Sequence, residues 1–264
     1  MTKKLSITPK KSLGQHFLVN PRILDKIVRA AEISKDDTVL EVGPGTGNLT
    51  EKLAEKAKKI IAIEKDRRLI EPLREKFKNT NIEIAEGDVL KFDPNQYSLI
   101  ANEYKVVANI PYYITSNFIR TVFEKWPKPK IIVLTIQKEV AQRIMVKPPK
   151  MNLLALSVQF FAEPKIIGYI SKENFRPRPK IDSAIIKLMP RERPLIDNSE
   201  DFFKLIKAGF SGKRKQLINN LSKRFGIIKQ RIMEPFEKTG INPNSRAENL
   251  SLNQWIELRR HIKN

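Results

Sequence analysis

At 264 residues the chain is long enough for one sizeable α/β core and a smaller second domain. Lys and Arg number 50 against 29 Asp and Glu, a formal net charge of +21 that points to a polyanionic partner, nucleic acid first. With no Cys and only 2 His, the sequence excludes disulfides, thiolate catalysis and a histidine-built metal site, and no apolar stretch approaches the roughly 20 residues of a membrane span.

In chain order, residues 1–11 are basic without an apolar h-region, so the expectation is a cytoplasmic protein rather than a secreted one. Asn20-Pro21 opens a helix, an N-cap side chain followed by proline at the first turn, that runs to Glu32. Residues 38–42 predict a strand that runs into Gly43-Pro44-Gly45-Thr46-Gly47. Leu49, Leu53 and Ala57, at spacing four, continue it as a helix. A second strand over 59–63 ends at Glu64, a helix covers about 66–77, and a third strand over 81–85 ends in Glu86-Gly87-Asp88. The apolar run 105–108 is a fourth strand and delivers Asn109-Ile110-Pro111-Tyr112; a fifth over 131–136 leads into a helix over 137–145. Strands alternating with helices, each strand nearly all apolar, predict a Rossmann-like α/β fold with helices on both faces of a parallel sheet.

The runs 153–161, 165–170 and 181–189 read as an antiparallel edge to that sheet. Residues 190–194 hold two prolines and three charges and mark a linker. Beyond it, Phe202, Leu205, Ile206 and Phe210, then Leu217, Ile218 and Leu221, then Trp255, Ile256 and Leu258 recur at helical spacing. The expected domains are therefore 1–190, an α/β domain for a small ligand, and 191–264, a small helical domain that faces a polyanion. Charge divides in the same sense: residues 1–119 carry 20 basic and 16 acidic side chains, and residues 120–264 carry 30 and 13. A thermophilic bias would raise Glu alongside Lys, and here Glu does not keep pace.

In open α/β sheets the ligand sits at the carboxyl ends of the strands, where strand order reverses. Gly43, Gly45 and Gly47 let the backbone turn sharply beside a ligand. Glu64 stands 21 residues after Gly43, the usual offset for a carboxylate that accepts from ribose hydroxyls. Asp88 is placed to accept from an adenine amine. The dinucleotide fingerprint wants a third glycine where this chain has Asn48, so the turn suits a cofactor without pyrophosphate, with S-adenosylmethionine the foremost. Asn109 and the backbone after it offer acceptors to an exocyclic amine, and Tyr112 offers a ring face to a base.

Taken together, these stretches resemble the ribosomal RNA adenine dimethylase family. The resemblance rests on Lys11-Ser12-Leu13-Gly14-Gln15-His16-Phe17-Leu18, Glu41-Val42-Gly43-Pro44-Gly45-Thr46-Gly47, Glu64, Gly87-Asp88, Asn109-Ile110-Pro111-Tyr112, Phe175-Arg176-Pro177-Arg178-Pro179-Lys180 and Arg246-Ala247-Glu248-Asn249-Leu250-Ser251. It implies transfer of methyl groups from S-adenosylmethionine to two adjacent adenosines in a hairpin loop near the 3′ end of small-subunit rRNA. It also implies a monomer that acts on the small subunit or its precursor during ribosome biogenesis.

By position it assigns cofactor contacts to His16, Leu18, Gly43, Gly45, Glu64, Asp88 and Asn109. Asn109, Ile110, Pro111, Tyr112 and Phe175 are the expected catalytic set, with Tyr112 and Phe175 stacking on the two faces of the base. Arg176, Arg178, Lys180, Lys213, Arg214, Lys215, Lys223 and Arg224 are the expected phosphate contacts. Two positions depart from the pattern: many members have Asn where His16 stands, and apolar residues around Leu153-Leu154 replace a Tyr-Gly pair. Two rivals share the fold, a large-subunit rRNA methylase of the antibiotic-resistance type and a non-catalytic RNA-binding assembly factor.

Overall fold

A computed structural model describes residues 8–10 and 13–262; Lys11 and Ser12 of the N-terminal motif, and most of the basic start, lie outside them. The chain divides into two compact units, one of residues up to 141 with 164–190, the other of residues 142–163 with 191 onward.

The first unit is built on a sheet of β2 (Thr38–Val42), β3 (Lys59–Glu64), β4 (Ile82–Glu86), β5 (Tyr104–Asn109), β6 (Ile131–Gln137), β7 (Ala162–Ile170) and β9 (Ser183–Pro190), in the order 4-3-2-5-6-9-7. The pairs β4–β3, β3–β2, β2–β5 and β5–β6 are parallel, and β9 runs antiparallel to β6. Strands β2, β5 and β6 are buried along nearly their whole length because helices cover both faces. Pro164 lies in β7, the edge strand, where a missing N–H costs the ladder least.

Helices α1 (Pro21–Ala30), α2 (Asn48–Ala54) and α3 (Arg67–Lys76) cover one side, their Leu24, Ile27, Leu49, Leu53, Leu69 and Leu73 packing with Val39, Ile60, Ala62 and Val107. Asn20 and Asp66 cap α1 and α3, accepting from the N–H of Arg22 and Arg68. Helix α4 (Thr115–Lys125), which the sequence reading passed over, buries Phe118, Ile119 and Val122, a helical spacing. Helix α5 (Lys138–Ile144) follows β6 as expected. A short ribbon pairs β1 (Phe17–Leu18) with β8 (Phe175–Arg176), antiparallel.

At the opposite end of the sheet from the glycine turn, Lys105 is buried with its Nζ 2.8 Å from Asp37 and 2.5 Å from the Glu32 carbonyl. Lys187 reaches the Glu32 carboxylate at 2.6 Å, so the apparent intruder in the apolar run 105–108 is a paired charge.

The second unit is helical and corrects one reading. Residues 153–161 are not an edge strand but α6 (Leu153–Phe161), capped by Asn152, whose side chain accepts from the Ala155 N–H at 2.9 Å. A continuous apolar run of nine residues does not by itself distinguish a strand from a buried helix, and here the cap and the partner core decide. Ala155, Leu156 and Phe160 pack with α7 (Ser199–Gly209), α8 (Leu217–Phe225), α9 (Lys229–Lys238) and α10 (Leu252–His261) through Phe202, Leu205, Leu221, Phe236 and Trp255. The helical unit therefore begins well before the expected boundary at 190 and takes in residues 142–163.

Candidate active site

The strand order reverses between β2 and β5, and this is where the carboxyl ends of the strands open into a cleft of about 150 Å3. Its lining gathers His16, Gly43, Gly45, Glu64, Asp88, Asn109, Ile110, Pro111 and Tyr112, nearly all of the expected site. Gly43 and Gly45 hold φ +71 and +59, left-handed values that a side chain would strain. At Gly45 an added Cβ would also lie 2.7 Å from the Phe17 ring.

Glu64 does more than face the cleft. Its Oε2 accepts from the Gly45 N–H at 3.1 Å, and its Oε1 accepts from the N–H groups of Lys65 and Asp66 at 2.9 and 2.8 Å. It thereby ties the glycine turn to the end of β3. Burial still outweighs these donors, so its carboxyl sits above the ordinary range. For Asp88, burial is offset by the Lys65 ammonium at 2.7 Å and the Leu90 N–H at 3.0 Å, and the carboxyl is held below that range.

Asn109 ends β5, and its Nδ2 donates to the His16 carbonyl at 3.0 Å. The amide is thus oriented by its partner, which leaves Oδ1 as the acceptor. His16 bridges further: its Nδ1 lies 2.8 Å from the Pro177 carbonyl, which only accepts, so the proton is on Nδ1. Its ring also stacks on Tyr112 at 6.0 Å and 23°. Tyr112 is fixed from the other end by a 2.7 Å hydrogen bond between its hydroxyl and Ser183, and burial raises the phenol above its usual range.

Two expected residues lie elsewhere. Leu18 is buried behind the glycine turn, where its carbonyl accepts from Asn48 Nδ2 at 3.2 Å. Phe175 is 1 % exposed within the sheet core, opposite Leu18 in the β1–β8 ribbon, and does not line the cleft, so the stacking expected of it does not fit this placement. The aromatic that does stand at the mouth is Tyr113, 61 % exposed, its ring 3.4 Å from where a Cβ on Gly14 would be. Its signal was its position next to Tyr112.

The donor set fits S-adenosylmethionine: carboxylates at the ends of β3 and after β4 for an adenosine, and a glycine turn with a free amide oxygen beside it for the rest. Among the described residues no cluster of His, Asp and Glu is arranged to hold a metal ion. A doubly covered sheet, parallel from β4 to β6 with an antiparallel strand beyond, and this site at its switch point fit an S-adenosylmethionine-dependent methyltransferase of the Rossmann-like class.

The comparisons narrow that class. The ribosomal RNA adenine dimethylase family matches residues 7–264, and the chain belongs to that family. It is 42 % identical over 261 residues to a ribosomal RNA small subunit methyltransferase A of Dehalococcoides mccartyi, covering 98 % of this chain and 90 % of that protein. Among solved structures it is similar to a dimethyladenosine transferase from Plasmodium falciparum, with 32 % identity, a TM-score of 0.80, and 92 % and 96 % of the two chains covered. It is also similar to the 23S rRNA methyltransferase ErmE, with 27 % identity, a TM-score of 0.77, and 93 % and 98 % covered.

Proposed function

We propose that the protein methylates the exocyclic N6 of two adjacent adenosines in a hairpin loop near the 3′ end of small-subunit rRNA, within the small subunit or its precursor. The Asn109 amide carries this reading: with Nδ2 held by the His16 carbonyl, its oxygen is left for an amine at the strand switch point.

The adenine amine is a weak nucleophile because its lone pair is delocalised into the ring. Asn109 Oδ1 and the Ile110 carbonyl would accept its two N–H groups and favour a tetrahedral nitrogen. Bound along Glu64, Asp88 and the glycine turn, S-adenosylmethionine supplies an electrophilic methyl group. Fixed geometry at about 3–3.5 Å is the larger part of the acceleration, and the proton leaves to water after attack. Tyr112, clamped between Ser183 and His16, would support one face of the base, and stacking of this kind is worth about 1–3 kcal/mol. A loop adenosine leaves its stack more easily than one in a duplex.

In the helical unit, Lys213, Arg214, Lys215, Lys223 and Arg224 are exposed, and none forms an ion pair with a described residue. They are suited to rRNA phosphates. The likeness to a 23S rRNA methyltransferase favours large-subunit rRNA as the second reading. Radiolabelled methyl transfer to unmethylated small and large subunits, followed by nucleoside analysis, separates the two. N6,N6-dimethyladenosine in small-subunit rRNA is the expected product, and labelling confined to large subunits would overturn the reading.

A further inference from the structure

The segment that joins α7 to α8 carries Lys213, Arg214 and Lys215 side by side, all three exposed. Three adjacent cations repel one another, so a short turn that holds them together needs restraint from elsewhere. The backbone supplies part of it. The Lys215 N–H donates to the Gly212 carbonyl at 3.0 Å, which closes a β-turn with Lys213 and Arg214 at its centre. The same Gly212 carbonyl accepts from Nδ2 of Asn220 at 3.0 Å, and that nitrogen also donates to the Gly209 carbonyl at 2.6 Å.

Asn220 lies on α8 with Leu217 and Leu221 and is 4 % exposed. Among the described residues it is the only polar side chain buried in the helical unit. Burying an amide costs stability unless its groups are bonded, and here both donors go to the two ends of the segment 209–212. Gly209 is pinned in turn, since the Trp255 ring leaves no room for a Cβ there. At Gly212 a Cβ would lie 2.6 Å from Asn220 Oδ1, so the amide rests directly on the backbone. Beyond the turn, the Leu217 N–H donates to the Ser245 carbonyl at 2.8 Å. The turn is thus held at both ends, while its three cations form no ion pair with a described residue.

We infer that Asn220 is a positioning residue for rRNA: it sets this β-turn in its binding shape before the RNA arrives, so that the cations meet phosphates with little further ordering. The inference rests on the phosphate-binding role proposed above for these cations. A cap on the last turn of α7 would use the same two bonds, but a cap serves the fold whether or not the cations are present. That difference can be measured.

The test is a thermodynamic cycle on the full-length protein, read as affinity for unmethylated small subunits at fixed salt. Asn220→Ala should weaken binding about tenfold, the order expected when roughly one residue's backbone freedom must be lost on binding. In a protein already carrying Lys213→Ala, Arg214→Ala and Lys215→Ala, the same substitution should change affinity by less than about twofold. Calorimetric affinity for S-adenosylhomocysteine should be the same in all four proteins, since the cofactor cleft belongs to the other unit. Without RNA, amide exchange at Lys215 should be faster in Asn220→Ala than in wild type, with exchange at Leu221 unchanged.

An equal loss in the two backgrounds would overturn the proposal, and so would a single variant that binds as tightly as wild type. Gly212→Ala repeats the cycle from outside the core. Its Cβ would press on Asn220 Oδ1 and lie 3.3 Å from the Lys215 stem, so it should show the same coupling even if Asn220→Ala fails to fold. Should the triple variant itself bind like wild type, the phosphate role of the turn falls and the inference with it. A triple variant that binds weakly, with no coupling to position 220 or 212, removes only the role of Asn220.

Discussion

Replacing Asn109 with Ala removes interactions at both ends of one amide. At Nδ2 the change frees the His16 carbonyl, now bonded at 3.0 Å; at Oδ1 it removes the acceptor for the substrate amine. The second loss falls on the transition state, because the amine's N–H groups point fully at their acceptors only as the nitrogen becomes tetrahedral. A hydrogen bond of that kind is worth about 1–3 kcal/mol, or roughly 5- to 150-fold in rate. RNA affinity should stay within about twofold, since the amide touches no phosphate and base contacts are a small share of binding. Asn109→Asp gives the control. It keeps an acceptor but sets a carboxylate oxygen against the His16 carbonyl, so it should lose the anchor while retaining more transfer than Ala. The assay is single-turnover methyl transfer at saturating cofactor and RNA, with RNA binding measured separately. An Ala variant within threefold of wild type, or one whose rate and RNA affinity fall together, would refute the amine-gripping role.

Glu64→Ala should weaken cofactor binding by roughly 1–3 kcal/mol, and it should also speed amide exchange at Gly45, Lys65 and Asp66, whose N–H groups it accepts; unchanged calorimetric affinity removes it from the site. Asp66, hydrogen-bonded first by Arg68 and then by Gln15, is held at about 2 against an ordinary 3.8. Its depressed folded-state value means the stabilisation, at most roughly 2 kcal/mol, is complete above pH 4 and lost as the pH falls toward 2. Denaturant midpoints of Asp66→Asn should therefore be flatter over that window than those of wild type, and parallel curves would contradict the assignment. Replacing Lys213, Arg214 and Lys215 together with Ala should lower the slope of log affinity against log salt by about 2–3. An unchanged slope on small subunits would mean these cations do not meet phosphate.

The strand ends were the legible part of this chain. Glu64, Asp88 and Asn109 each close an apolar run, so reading the strands already placed them on one rim. What the sequence hid was how these groups are occupied: Asp88 answering Lys65, Glu64 holding the glycine turn, and the His16 carbonyl turning the Asn109 amide. Those bonds join residues far apart in sequence and leave no local trace. The two-residue ribbon of β1 and β8 is invisible for the same reason, and it is what draws Phe175 into the core. Residues 153–161 were misread for the opposite reason. They carry a strong signal, continuous apolarity, that two structures share, and the Asn152 cap and the helical core they join separate the two.

The β1–β8 ribbon also sets an order of events at the ribosome where this protein is made. By the time Tyr112 has been synthesised, the glycine turn, Glu64, Asp88 and Asn109 are all available, yet the segment carrying His16 has no partner strand. Phe17 and Leu18 must wait for Phe175 and Arg176, and the His16 ring for the Pro177 carbonyl, 161 residues further on. A loop of that length closes late, because its chain entropy is lost before any contact rewards it. The wall that turns the Asn109 amide is thus laid down late, followed only by the Ser183 hydroxyl that fixes Tyr112. A nascent chain stopped before residue 175 should hold the sheet rim in place and still lack the clasp that makes it an amine-binding site.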